Sequence, residues 1–130
     1  MAKYTAEKIA EMENWIVWHS RKFWEKAQNF YGTRINTLPK TKMNSRLTST
    51  AGRAFIEENY TDYSCYLLLR NTDEFKNNTI PHELCHHIAF RLYGDRGHGK
   101  AWKKVMVEMG LKPDTYHNME TLHMANNKAK

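Results

Sequence analysis

His82, Glu83 and His86 stand together in the string His82-Glu83-Leu84-Cys85-His86, the HExxH pattern. Two histidines four residues apart on a helix project from the same face, so both imidazoles can reach one zinc ion. Glu83 is not needed as a ligand. Its carboxylate is placed to take a proton from a metal-bound water, the task of a general base in hydrolysis. The competing reading, a pair of surface histidines, is disfavoured by context: the string falls on a predicted helix after a predicted strand, with its apolar row on the side away from the histidines.

A metal held by two histidines needs a third ligand. The metzincin pattern would place it at Leu92, with a glycine at Ala89, and is therefore excluded. The gluzincin pattern would use a glutamate further on, and Glu108 is the nearby candidate. The stronger candidate is His98, because Gly94, Gly97 and Gly99 let the chain turn back after the helix. Three histidines leave one tetrahedral position for water, whereas structural zinc sites usually fill all four with protein. His87 points about 100° away from His86 around a helix, so it is expected at the surface or behind the ligands. Trp102 is expected to pack under the site and hold the His98 loop.

The elements that must position these residues can be read from periodicity. Residues from about Thr5 to Phe30 form a long amphipathic helix, capped by Thr5 and ended near Gly32. Ile9, Met12, Ile16, Phe23, Ala27 and Phe30 make its core stripe, and Trp15, Trp18 and Trp24 widen it; base stacking by these tryptophans is the weaker alternative. Arg34–Leu38, Ser45–Thr50, Arg53–Ile56 and Ser64–Leu69 read as strands of a small, mostly antiparallel sheet, so residues 34–69 are the sheet region. A second helix starts near Pro81 and ends near Leu92, before Gly94. A third runs from Lys100 to Met109, and the tail after Leu122 (123–130) is polar. The fold class is α+β, with a metal-site region over 81–120.

The chain has 130 residues, 41% hydrophobic and 26% charged, which suits one folded domain over 1–130 and excludes a wholly disordered chain. Cys65 and Cys85 are too few for a disulfide framework and read as reduced core thiols. No segment has the length of a membrane span and no apolar leader opens the chain, so a soluble, cytoplasmic monomer without membrane contact is expected. The net charge of +6, with groupings at Arg21, Lys22, Lys26 and at Lys100, Lys103, Lys104, is either a solvated surface or a polyanion-facing patch.

The stretches PHELCHHIAFRLYG, HGKAWKKVMVEMGL and TYHNME, with TAGRAFIEEN and YLLLRN upstream, resemble the SprT-like zinc metallopeptidases, the family that includes the Spartan DNA–protein crosslink proteases. The resemblance covers roughly Ser49 to Glu120 and is far more specific than HExxH alone. It implies a zinc site of His82, His86 and His98 with Glu83 as general base, in a zincin-like α+β domain that acts on a protein or peptide substrate. It also implies a tail motif at Thr115-Tyr116-His117, where Tyr116 or His117 would hydrogen-bond the oxyanion formed from a peptide carbonyl. The cysteine pairs of the zinc ribbon carried by many bacterial relatives are missing here, so any DNA dependence is expected from the domain's own surface or a partner. His19 and His123 have no partner visible in the sequence. Two rival functions are a three-histidine metal-dependent endoribonuclease, which does not require Glu83, and a non-catalytic DNA-associated adapter with a vestigial zinc site.

Overall fold

The computed structural model describes residues 4–113. Its first element is the long helix α1, Ala6–Tyr31. Thr5 Oγ1 accepts the Lys8 N–H at 3.0 Å, satisfying one of the donors that a helix start leaves unpaired. At the other end Gly32 has φ 65°, a conformation that favours glycine, and its N–H bonds Gln28 O. The buried row is Met12, Ile16, Ser20, Trp24, Ala27 and Tyr31. This corrects the expected stripe: Ile9 and Phe23 are only half-buried, and Phe30 and Trp18 are 59% and 58% exposed. The row turns towards Trp24 and Tyr31 because both polar tips find partners, Trp24 Nε1–H on Asn36 O and Tyr31 O–H on Glu108.

The sheet is smaller than expected and mixed. Its strands are β1 (Lys40–Asn44), β2 (Gly52–Phe55) and β3 (Tyr60–Ser64), in the order β1-β3-β2. β2 pairs antiparallel with β3, whereas β1 pairs parallel with it. Residues 45–51 carry the chain past β1, and the β2–β3 hairpin then brings β3 back between them in the direction of β1. Neither Arg34–Leu38 nor Ser45–Thr50 is a strand; a short 3₁₀ turn at Gly32–Arg34 precedes β1.

The segment Ser64–Leu69, expected as a strand, ends β3 and then forms helix α2, Cys65–Arg70. Ser64 makes the switch. Its Oγ accepts the Leu67 N–H at 3.0 Å and donates to Leu47 O at 2.6 Å. A continuous apolar run fits a buried strand and a buried helix equally, and a serine cap followed by leucines favours the helix.

The second helix begins beside Pro81, as expected, with the proline in its first turn, but it is not preceded by a loop or strand. A single turn, α3 (Thr72–Glu74), passes through a π turn (Phe75–Thr79) directly into α4, Ile80–Tyr93. The Ile80 N–H reaches back to Phe75 O, five residues away, so the ladder is already loosened where proline lacks a donor. Helix α4, which carries His82 and His86, therefore follows helical turns and not a strand. Gly94, at φ 73°, ends α4, and α5 (Lys100–Glu108) packs beside it. Ile16, Leu67, Leu84, Ile88, Trp102 and Val105 fill the core between helices and sheet. Cys65 and Cys85 are buried free thiols, each pushed above the ordinary thiol range by burial. Among the described residues no helix is long and apolar enough to cross a membrane.

Candidate metal centre

Helix α4 presents His82 and His86 from one face, and the loop after Gly94 returns His98 to meet them. His98 Nε2 lies 3.2 Å from His82 Nε2 and 3.0 Å from His86 Nε2. One ring nitrogen from each of the three falls within 4.8 Å of the others, a group that could hold a metal ion. Zn–N bonds of 2.0–2.1 Å at tetrahedral angles set nitrogens about 3.3 Å apart, so the donor set and its spacing fit such an ion. Burial, with His82, His98 and His87 adding to it, pushes His86 down to about 3. Burial also lowers His98, helped by Lys103 and opposed by Asp95. His86 and His98 thus keep neutral rings with a lone pair to offer at neutral pH.

Trp102 is the floor. It is fully buried; its ring stacks on His86 at 5.2 Å and meets His82 and His98 edge-on at 4.8 and 4.7 Å. Its Nε1–H donates to His82 O at 3.3 Å, tying α5 to the first turns of α4. Asp95 Oδ1 accepts the Gly97 N–H and its Oδ2 accepts the Trp102 N–H. Sequence reasoning missed Asp95, although Asp95-Arg96-Gly97 carries the signature of an Asx turn.

Glu83 lies beside the histidines, 8% exposed, with Oε2 3.7 Å from His82 Nε2. Burial pushes its carboxyl up to about 8; Asp62 adds to that, and a hydrogen bond from the Ala54 N–H opposes it. Its stem rests on β2 at Gly52, where an added Cβ would stand 3.1 Å from Glu83 Cγ and from the Tyr63 ring. Nothing local in the sequence signals that a helix side chain must lie at Gly52. Asp62 is buried on β3 and bonded by Arg53 and Asn44. Burial alone would raise its carboxyl, but those bonds and the Arg53 and Lys42 charges outweigh it and hold it below the usual range.

The remaining residues sit elsewhere. Glu108 Oε1 accepts the Tyr31 O–H at 2.8 Å, facing α1 and not the histidine group. His87 is not at the surface: it is 1% exposed, and its Nε2 pairs with Thr61 Oγ1 at 2.9 Å, pinning α4 to β3. His19 lies against Trp15 and Trp18. Lys26 donates to Met109 O at the end of α5, while Arg21, Lys22, Lys100, Lys103 and Lys104 are exposed. Tyr116, His117 and His123 lie outside the described residues.

The structure is thus of the α+β class, with a three-histidine group across a helix and a loop that could hold a metal ion. The SprT-like family model matches residues 16–123, and the chain belongs to the SprT-like family. A protein named Protein SprT from Actinobacillus succinogenes is 40% identical over 72 residues, covering 54% of this chain and 42% of that protein. Protein SprT of Shewanella oneidensis is 31% identical over 93 residues, 70% of this chain and 59% of that protein. Protein SprT of Pseudomonas putida is 29% identical over 106 residues, 78% of this chain and 63% of that protein. The chain thus spans between 42% and 63% of the length of these relatives. No solved structure matches it.

Proposed function

We propose that this chain is a zinc-dependent metallopeptidase domain of zincin-like organisation, hydrolysing peptide bonds with water. The observation that supports it most is the convergence of His82, His86 and His98 beside the buried carboxyl of Glu83. His82, His86 and His98 would hold the ion through ring nitrogens. When bound, zinc supplies Lewis acidity that polarises the scissile carbonyl and lowers the pKa of the attacking water.

Glu83 supplies the proton traffic. Its carboxylate removes a proton from the attacking water, and the same carboxyl returns it to the departing amine nitrogen as the C–N bond breaks, leaving Glu83 unchanged. The Ala54 N–H and the stem contact at Gly52 orient it for both steps. Trp102 closes the site from beneath and keeps water out of that side.

A three-histidine endoribonuclease needs no carboxyl at this position. The burial of Glu83 against β2, at an electrostatic cost, supports the peptidase over the nuclease and over a vestigial adapter. Substrates held on DNA are part of the proposal: the net charge of +6 and the exposed lysines of α5 near His98 support attraction to phosphates.

The test is Glu83→Gln, assayed on an unfolded protein and on RNA, with and without DNA and at low and high salt. The variant is expected to retain zinc and lose about 10²–10⁴-fold in proteolysis. DNA stimulation of the wild type is expected to fade as salt rises. Undiminished proteolysis by Glu83→Gln, or cleavage of RNA alone, would overturn the reading.

A further inference from the structure

His98 is delivered by a glycine-rich segment. Gly94, Gly97 and Gly99 lie around it, and Gly99 at the start of α5 has no side chain to cap the helix. The Trp102 N–H, in the first turn of α5, is one of the donors that a helix start leaves without an intrahelical acceptor. Asp95 supplies that acceptor. Oδ1 accepts the Gly97 N–H at 2.9 Å and Oδ2 accepts the Trp102 N–H at 3.0 Å, one bond on each side of His98. The carboxylate also lies at the positive end of the α5 dipole. The Gly97 bond leads, with the Trp102 bond adding to it, in holding the Asp95 carboxyl below its ordinary range against the effect of burial.

We infer that Asp95 is the positioning residue of the metal centre, holding His98 at the meeting point of the three imidazoles without being a ligand. This rests on the metal-centre reading above. Both Asp95 oxygens are engaged by backbone donors, and Asp95 is not one of the three residues that could hold the ion. The bond to the Trp102 N–H ties the His98 loop to the residue that floors His86 and His82. A second tether, the ion pair of Arg96 with Glu57, is exposed on both sides and contributes little. Gly99 reports on the same contact. Its backbone (φ −76°, ψ −169°) suits any residue, yet an added Cβ would stand 3.1 Å from Asp95 Oδ2. Gly99→Ala therefore presses on Asp95 and not on the backbone.

The experiment measures zinc affinity by competition with a chromophoric chelator in wild type, Asp95→Ala, Asp95→Asn, Gly99→Ala, His98→Ala and the Asp95→Ala/His98→Ala double variant. Asp95→Ala is expected to weaken binding about 10- to 100-fold, the usual effect of removing a group that orients a ligand. Asp95→Asn, which keeps one acceptor oxygen, loses less, and Gly99→Ala moves in the same direction. The double variant binds no more weakly than His98→Ala alone, because Asp95 acts through His98. With cobalt(II) in place of zinc, the visible spectrum of Asp95→Ala shifts towards that of His98→Ala. Should Asp95→Ala fail to fold, Asp95→Asn and Gly99→Ala carry the same comparison. Wild-type affinity in these variants, or losses that simply add in the double variant, would overturn the positioning role and leave the metal centre standing. A wild type that binds no zinc would overturn both.

Discussion

Glu83 carries an electrostatic cost that only a proton or a nearby cation offsets. In the metal-free protein its carboxyl holds a proton up to about 8, whereas an unfolded glutamate releases it near pH ~4.3. A group whose folded value is raised contributes stability that is fully present below the unfolded value and is lost as pH rises through the folded one. Glu83→Gln removes this dependence. With chelator present, the variant's melting temperature should rise relative to wild type between pH 4.5 and 8.5; a difference that stays constant with pH would contradict the buried carboxyl. The histidines lowered by burial change stability in the opposite direction below their ordinary pKa, and the comparison cancels them. At this scale the sequence was readable where helix geometry fixes directions: the spacing of His82 and His86 guarantees a shared face. Gly52 and Asp95 were not readable in the same way, because the need for a bare Cα under Glu83 arises from a strand distant in sequence, and the Asx turn at Asp95 does not say what it holds.

Elements were legible where their signals are local. Thr5 and Gly32 bound α1 as the cap residues require, and Gly94 ends α4. The run Tyr66–Leu69 shows the opposite case, since apolar continuity alone does not separate strand from helix and Ser64 decides it by capping. Ser64→Ala removes both the α2 cap and the bond to Leu47 and should cost about 1–2 kcal/mol in urea unfolding. No change in the unfolding midpoint would deny Ser64 that role. The parallel pairing of β1 with β3 had no local signature, because strand order is set by where the intervening chain crosses. The π turn before Pro81 was hidden for a related reason: proline signals a helix start, and only a loosened ladder behind it lets helical turns precede it.

Among the described residues, two parts of the fold converge on one point. Helix α4 contributes two imidazoles and a carboxyl, the loop before α5 contributes the third imidazole, and Trp102 locks the parts together. The sheet's part is to press β2 against Glu83 and anchor α4 through the Thr61–His87 pair. Which residue joins His82 and His86 was the least determined step in the sequence, because it depends on the path of a glycine-rich loop. Glu108 faces Tyr31 instead, so the two candidates predict opposite outcomes. Elemental analysis of purified wild type beside His98→Ala and Glu108→Ala, after identical dialysis, reads the difference directly. The account predicts one zinc per chain in wild type and in Glu108→Ala, and a substoichiometric amount in His98→Ala. Full zinc in His98→Ala together with its loss in Glu108→Ala would contradict it.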